Sequence, residues 1–322
     1  MHATPEVDLH QRTVQSFSRS IRIASIAVVL WALLASYPTA APEFSDWSEP
    51  FNLGPGVNTP FSENAPTVSK DRRNLYFASN RPGQLGGNDL YVSQWDDATG
   101  SWGPGVNLGP IVNTTATEFS PNLSRDGHWL FFHSNRPGSF TPGLDIWVSY
   151  RKHTHDDFGW QTPMNLGAGV NAPGLDTGPS FFENDDVGIP QLFFASNRRI
   201  PGGNDIYVSD LLADRTFGPA ILVPELSSPQ VEPGVSIRFD GLEAFLFSAR
   251  AGGLGGFDIW TAIRESVFHP WSEPTNLGPV VNTAGNENDP HITSDGQALY
   301  FTSGRTGSMG GGDLWVTTRS KR

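Results

Sequence analysis

Charged side chains recur at matched spacing through this 322-residue sequence, and they are the residues equipped for chemistry. Five acids, Glu63, Glu118, Asp176, Glu232 and Glu287, each precede an arginine: Arg81, Arg136, Arg198, Arg250 and Arg305. Each arginine sits in a Ser-x-Arg string and is followed, across a Gly-rich stretch, by a second acid: Asp89, Asp145, Asp205, Asp258 and Asp313. A guanidinium offers five N–H donors in a fixed fork, enough for two carboxylates. Each Arg is therefore expected to bridge its own later Asp and the earlier acid, which makes the Asp series structural. The residual negative charge, repeated five times, also makes an acidic mouth suited to a cation or a cationic peptide. The earlier acids and the arginines are the candidate ligand-binding set.

Paired carboxylates raise a further chemistry. Two of them about 5–5.5 Å or about 6.5–9.5 Å apart hydrolyse a glycoside with retention or inversion. Against catalysis, all five acids share one context, whereas an active site is asymmetric. Pairing with Arg also lowers an acid's pKa, the wrong direction for a general acid. No catalytic residue is assigned. The serines of the Ser-x-Arg strings, Ser79, Ser134, Ser196, Ser248 and Ser303, recur in every unit and read as structural hydroxyls.

Single residues depart from the repetition. His133 stands where other units carry Ala, Phe or Thr, and joins the binding candidates. His153 and His155 are spaced for a surface metal but read as a solvated loop, and no D-x-D-x-D-G calcium loop is present, so neither metal nor cofactor is expected. Trp95 and Trp129 fall outside the tryptophan pattern and are the aromatic candidates for sugar stacking.

The elements that position these residues come from an internal repeat. Trp47, Trp102, Trp160 and Trp271 each precede an Asn-Leu-Gly, with Phe217 filling the fifth place. A second string follows in each unit, as in LYFASNRPG from Leu75, and a third, as in Asp89-Leu90-Tyr91. Each unit reads as four short strands with turns such as Ser124-Arg125-Asp126-Gly127, and no segment keeps a helical period. Units of about 55 residues (47–101, 102–159, 160–216, 217–270 and 271–322) predict an all-β, five-bladed β-propeller. The last unit lacks its fourth strand and the chain opens with an orphan one at Trp47. The N-terminal strand is thus expected to pair into the last blade and close the ring, protecting an open edge. The acids, the arginines and the Asp series then share one rim.

Residues 1–41 are a separate segment. Arg12, Arg19 and Arg22 precede the apolar run Ile23 to Ala35, shorter than the roughly 20 residues of a bilayer span. A signal peptide with an imperfect cleavage site near Ala40 and Ala41 is expected, leaving a periplasmic or secreted propeller over 42–322. An uncleaved N-terminal anchor is the alternative. Net charge is −12 without a basic block, which excludes a nucleic-acid backbone as partner. The absence of cysteine excludes thiolate metal sites, disulfides and a Cys nucleophile.

The strings Ser124–Gly127, Leu75–Gly83 and Gly86–Ser93 resemble the WD-repeat-like propeller repeat of the TolB type, and the resemblance covers residues 47–322. It departs most in blade four, at Ala249 and Val235, and in blade three at Asn184. The resemblance implies an exported, monomeric, non-catalytic binding or scaffold module for protein partners in the bacterial envelope. The alternative is a carbohydrate-active propeller, lectin or glycoside hydrolase, using the rim carboxylates.

Overall fold

A computed structural model describes residues 44–139, 143–183, 188–199 and 203–322. The expectations for residues 1–41 and for Asn184 lie outside the described residues. Among the described residues there is no helix. Five antiparallel sheets form the five blades of a β-propeller. Blade one runs Glu63–Val68, Asn74–Ser79, Asp89–Asp96 and Val106–Asn107, with an extra two-residue strand, Ser101–Trp102, also pairing with the third. Blade two runs Glu118–Leu123, Trp129–Ser134, Asp145–Tyr150 and Met164–Asn165. Blade three runs Asp176–Phe182, Gln191–Ser196, Asp205–Asp210 and Ile221–Leu222. Blade four runs Gly234–Ile237, Glu243–Ser248, Asp258–Ile263 and Thr275–Asn276. Blade five takes Glu287–Ile292, Ala298–Ser303 and Asp313–Thr318 from the end of the chain, and Phe51–Asn52 from its start.

That borrowed strand closes the ring. Phe51 pairs with Val316 and Asn52 with Trp315, and Phe44 bridges Lys321. A clasp reinforces the seam: Arg319 stacks on Phe44 and Trp47, and its guanidinium meets Glu243 of blade four together with Arg238. The outermost strand is only two residues long in every blade, and a bulky residue a few places before it packs inward. Trp102, Trp160, Phe217 and Trp271 are buried in this way, and Trp47 packs edge-on against Phe245.

The core is therefore five cores, one per seam between adjacent blades. Tyr76 and Leu90 of blade one meet Phe132 and Trp147 of blade two around Trp160. Phe131 and Ile146 of blade two meet Phe194 and Tyr207 of blade three around Phe217. Each such ring, taken out of water, contributes about 1.5–3 kcal/mol.

The innermost strands surround the axis and carry an irregularity. Register shifts lie between Asn64 and Thr67, Phe119 and Asn122, Thr177 and Ser180, and Asn288 and His291. The bulged residue adopts a left-handed backbone at Ala65, Ser120, Gly178 and Asp289, with φ between 50° and 54°. Pro66, Pro121, Pro179 and Pro290 follow directly, and a proline inside a sheet is placed at a bulge because it cannot donate to the ladder. In blade four the proline stands one place earlier than the bulged position, at Pro233, and regular pairing begins only at Gly234.

Candidate functional site

The repeated acids and arginines form a buried lock in each blade. Nη2 of Arg81 lies 3.0 Å from Glu63, and the pairs Arg136–Glu118, Arg198–Asp176, Arg250–Glu232 and Arg305–Glu287 span 3.1, 2.7, 3.1 and 3.2 Å. All five acids are at 0% exposure. In blade one, Thr59 donates through its amide (2.8 Å) and its hydroxyl (2.7 Å) to the Glu63 carboxylate, and Ser79 donates at 3.0 Å. Arg81 also donates to the Val57 carbonyl (2.7 Å) and lies over the Phe77 and Tyr91 rings. The Ser-x-Arg serine is thus a hydroxyl donor to the acid in blades one, two, four and five. The lock fills the seam under the rim instead of lining a mouth, and a fully buried carboxylate already holding several donors is out of a ligand's reach.

Two expectations about this lock are corrected. The arginines do not bridge the later Asp. Asp89 accepts from the amides of Leu85 (2.7 Å) and Gly86 (3.2 Å) and from Asn107 (2.7 Å), so it closes its own loop and ties down the Asn-Leu-Gly strand. Asp258 and Asp313 do the same with Asn276 and Asn52, and Asp145 takes Asn165. In blade three Leu222 stands where the others have Asn, and Arg199 pairs with Asp205 at 3.0 Å in its place. Nor does Arg pairing lower every acid. Burial raises the Asp176 carboxyl, because desolvation outweighs the hydrogen bonds from Ser196, Ala172 and Arg198. The same desolvation lowers Arg136 and Arg305.

The axis holds different groups. A cavity of about 40 Å³ is lined by the bulged positions of all five blades, Ala65, Ser120, Gly178, Gly234 and Asp289. It has room for a few water molecules and none for a sugar ring. Asp289 alone among these is ionisable, and desolvation pushes its carboxyl up to about 7 against a backbone hydrogen bond from Ala65. His291, Nδ1 3.3 Å from Thr67, is pushed down to about 4 by burial. His133 is buried rather than on the rim: it stacks on Phe119 (5.5 Å), accepts from the Gly178 amide (3.3 Å) and is pushed down to about 3. In the sequence Asp289 looks like an ordinary strand residue. The available signal was the break in repetition two places after each rim acid, where the series runs Ala, Ser, Gly, Gly, Asp.

The opposite rim holds a roomy cleft between blades one and two, about 700 Å³, lined by Lys70, Arg73, Gln94, Trp95, His155 and Asp157 among others. It exists because a second repeated device is missing there. In blades two, four and five an arginine ends the third strand and its Nε donates to a turn glycine: Arg151 to Gly127 (2.8 Å), Arg264 to Gly241 (2.5 Å), Arg319 to Gly296 (2.8 Å). Blade one replaces both partners. Trp95 takes the arginine's place, and Arg72, at φ 60°, takes that of glycines at φ 72–75°. A non-glycine in this region costs about 1–2 kcal/mol. Trp95 stands edge-on to Trp102, centroids 5.3 Å apart, and remains partly exposed. The cleft floor is rigid. Asp157 accepts from Asn74 (3.0 Å), Tyr76 (2.5 Å), Gln94 (2.9 Å) and the buried Arg151 (2.8 Å). Trp129, the other aromatic candidate, is engaged with Tyr150 at 4.8 Å. His153 and His155 lie 5.6 Å apart, and among the described residues no group of three metal-capable side chains occurs.

No family model matches the chain, and no curated protein matches it. Solved structures do. The catalytic domain of a Coprinopsis cinerea GH62 α-L-arabinofuranosidase superposes with a TM-score of 0.56 at 13% identity, covering 87% of this chain and 98% of that one. An endo-arabinase from Bacteroides thetaiotaomicron gives 0.53 at 16% identity, with 87% and 98% covered. A putative TolB from Agrobacterium tumefaciens gives 0.49 at 18%, with 81% and 78% covered. At such identities the likeness is one of fold, the β-propeller. It overturns the expectation of a non-catalytic TolB-like scaffold for envelope proteins: the better superpositions are to carbohydrate-acting propellers, and no family model supports the TolB-type repeat.

Proposed function

We propose that this chain is a carbohydrate-active propeller that seats a glycan in the cleft between blades one and two. One observation carries the reading: Trp95 and Arg72 displace a pair kept in three other blades, opening about 700 Å³ beside a partly exposed indole. That volume is in the range of small-molecule sites. An indole offers an apolar face to the C–H face of a sugar, while the fixed amides of Gln94 and Asn74 present hydrogen-bonding groups to hydroxyls. The likeness in fold to an arabinofuranosidase and an endo-arabinase agrees with this class of ligand. An extracellular glycan as ligand accords with the export expected from residues 1–41.

The test is calorimetric titration with arabino-, xylo- and gluco-oligosaccharides. Wild type binds at least one series, and Trp95→Ala weakens it about tenfold. Failure of every oligosaccharide, neutral or acidic, to bind the wild type removes the reading. A hydrolytic reading needs an acid within reach of the bound sugar, and Asp289, despite its raised carboxyl, lies in the narrow axial cavity and not among the residues lining the cleft.

A further inference from the structure

Within that reading, we infer that the cleft selects acidic sugars, residues bearing a carboxylate or a sulfate. The observation is an imbalance among the charged groups that line it. Its acids are already spent on the protein. Asp157 has four donors. Asp71 accepts from the Ser69 hydroxyl (2.6 Å) and the Arg73 amide (3.0 Å), and Asp126 from the Ser124 hydroxyl (2.6 Å) and the His128 amide (3.0 Å). These bonds hold the two turns in shape, and a carboxylate so used does not turn toward a ligand.

The cations are not spent in the same way. The first-blade turn reads Ser69-Lys70-Asp71-Arg72-Arg73, whereas the corresponding turns of blades two, four and five carry one basic residue or none. Arg72 is committed to Asp295 of blade five. Arg73 meets Asp97 with 52% and 66% of the two side chains exposed, and an exposed pair of this kind is worth so little that an anion in the cleft can compete for it. Among the described residues Lys70 has no hydrogen-bond or ion-pair partner, and it lines both the cleft and the neighbouring cavity of about 70 Å³ at the channel mouth. The cleft thus presents an ammonium and a loosely held guanidinium beside Trp95, on a chain whose net charge is −12. An aromatic platform for the ring with two cations at its edge fits an anionic pyranose better than a neutral one.

The experiment compares matched oligosaccharides of one length: neutral, uronate and sulfated, at about 20 mM and about 200 mM salt, with wild type, Lys70→Ala and the double variant Lys70→Ala/Arg73→Ala. Both side chains are exposed and the variants fold, which circular dichroism verifies. An acidic series, uronate or sulfated, binds wild type about tenfold tighter than the neutral one at low salt. The advantage shrinks at high salt and disappears in the double variant, while neutral binding persists. Whichever of the two acidic series binds names the anion. Equal binding of neutral and acidic series by wild type, or an acidic preference untouched by the double variant, overturns the inference and leaves the glycan reading standing. No binding in any series overturns both.

Discussion

The rim of the acid–arginine locks and the cleft between blades one and two are built from the same residue types and do opposite things with them. At the lock, Glu118 and Arg136 are both buried, the carboxylate is held by donors from Thr114, Ser134 and Arg136, and the acid–arginine pair recurs in all five blades. At the cleft, Lys70 and Arg73 are exposed and loosely held, and the blade-one turn departs from the others. Repetition marks what the ring needs in order to stand. Departure marks where one blade has been released from that need, and strain at Arg72 is tolerated there.

The comparison can be broken at its strongest point first. Removing residues 1–56 takes the closing strand, Trp47 and Val57's supporting turn away from the last blade. Thermal unfolding is expected to lose cooperativity, with the midpoint lowered by more than about 10 °C. An unchanged melting curve would mean that the ring does not depend on its seam. Next, Glu118→Ala leaves Arg136 buried without its carboxylate and is expected to cost about 3–5 kcal/mol in urea unfolding. Trp95→Ala, by contrast, should affect glycan binding more than stability. A lock variant that unfolds the protein and a cleft variant that spares it sharpen the contrast, and similar losses for both would erase it.

The smallest effect concerns pH. Asp289 has a folded pKa of about 7, above the unfolded value, so its contribution to stability is present below about pH 4 and is lost as pH rises through 7. His133 and His291, lowered to about 3 and about 4, act in the other direction: their contribution is present above about pH 6.5 and is lost as pH falls through those values. Two histidines against one acid give a net rise in stability from about pH 4 to 6.5. In Asp289→Asn the opposing group is gone, so that rise should steepen, as chemical denaturation at several pH values will show. An unchanged slope would mean that Asp289 ionises as freely in the ring as in the unfolded chain.

Much of this was legible in the sequence alone. The threefold strings at five places predicted four-stranded blades, and the missing fourth strand at one end with a spare at the other predicted the closure that Phe51 and Asn52 make. Trp95 stood out as off-pattern. Each arginine's pairing with the earlier acid was legible, and Arg81 meets Glu63; the absence of the second bridge was not, because Asp89 is taken by the amides of its own loop and by Asn107. Asp289 was hidden by the bulge, which turns a residue toward the axis that simple alternation assigns elsewhere.

By itself the sequence determined the repeat, the strand pairing within blades and the closure, because each rests on local periodicity and on turn chemistry a few residues long. Only the tertiary structure decided which charges are sealed and which meet solvent. Burial of a carboxylate depends on neighbours brought from the adjacent blade, some 55 residues away in the chain, and the cleft depends on two substitutions, Arg72 and Trp95, whose joint consequence appears only where two blades face each other.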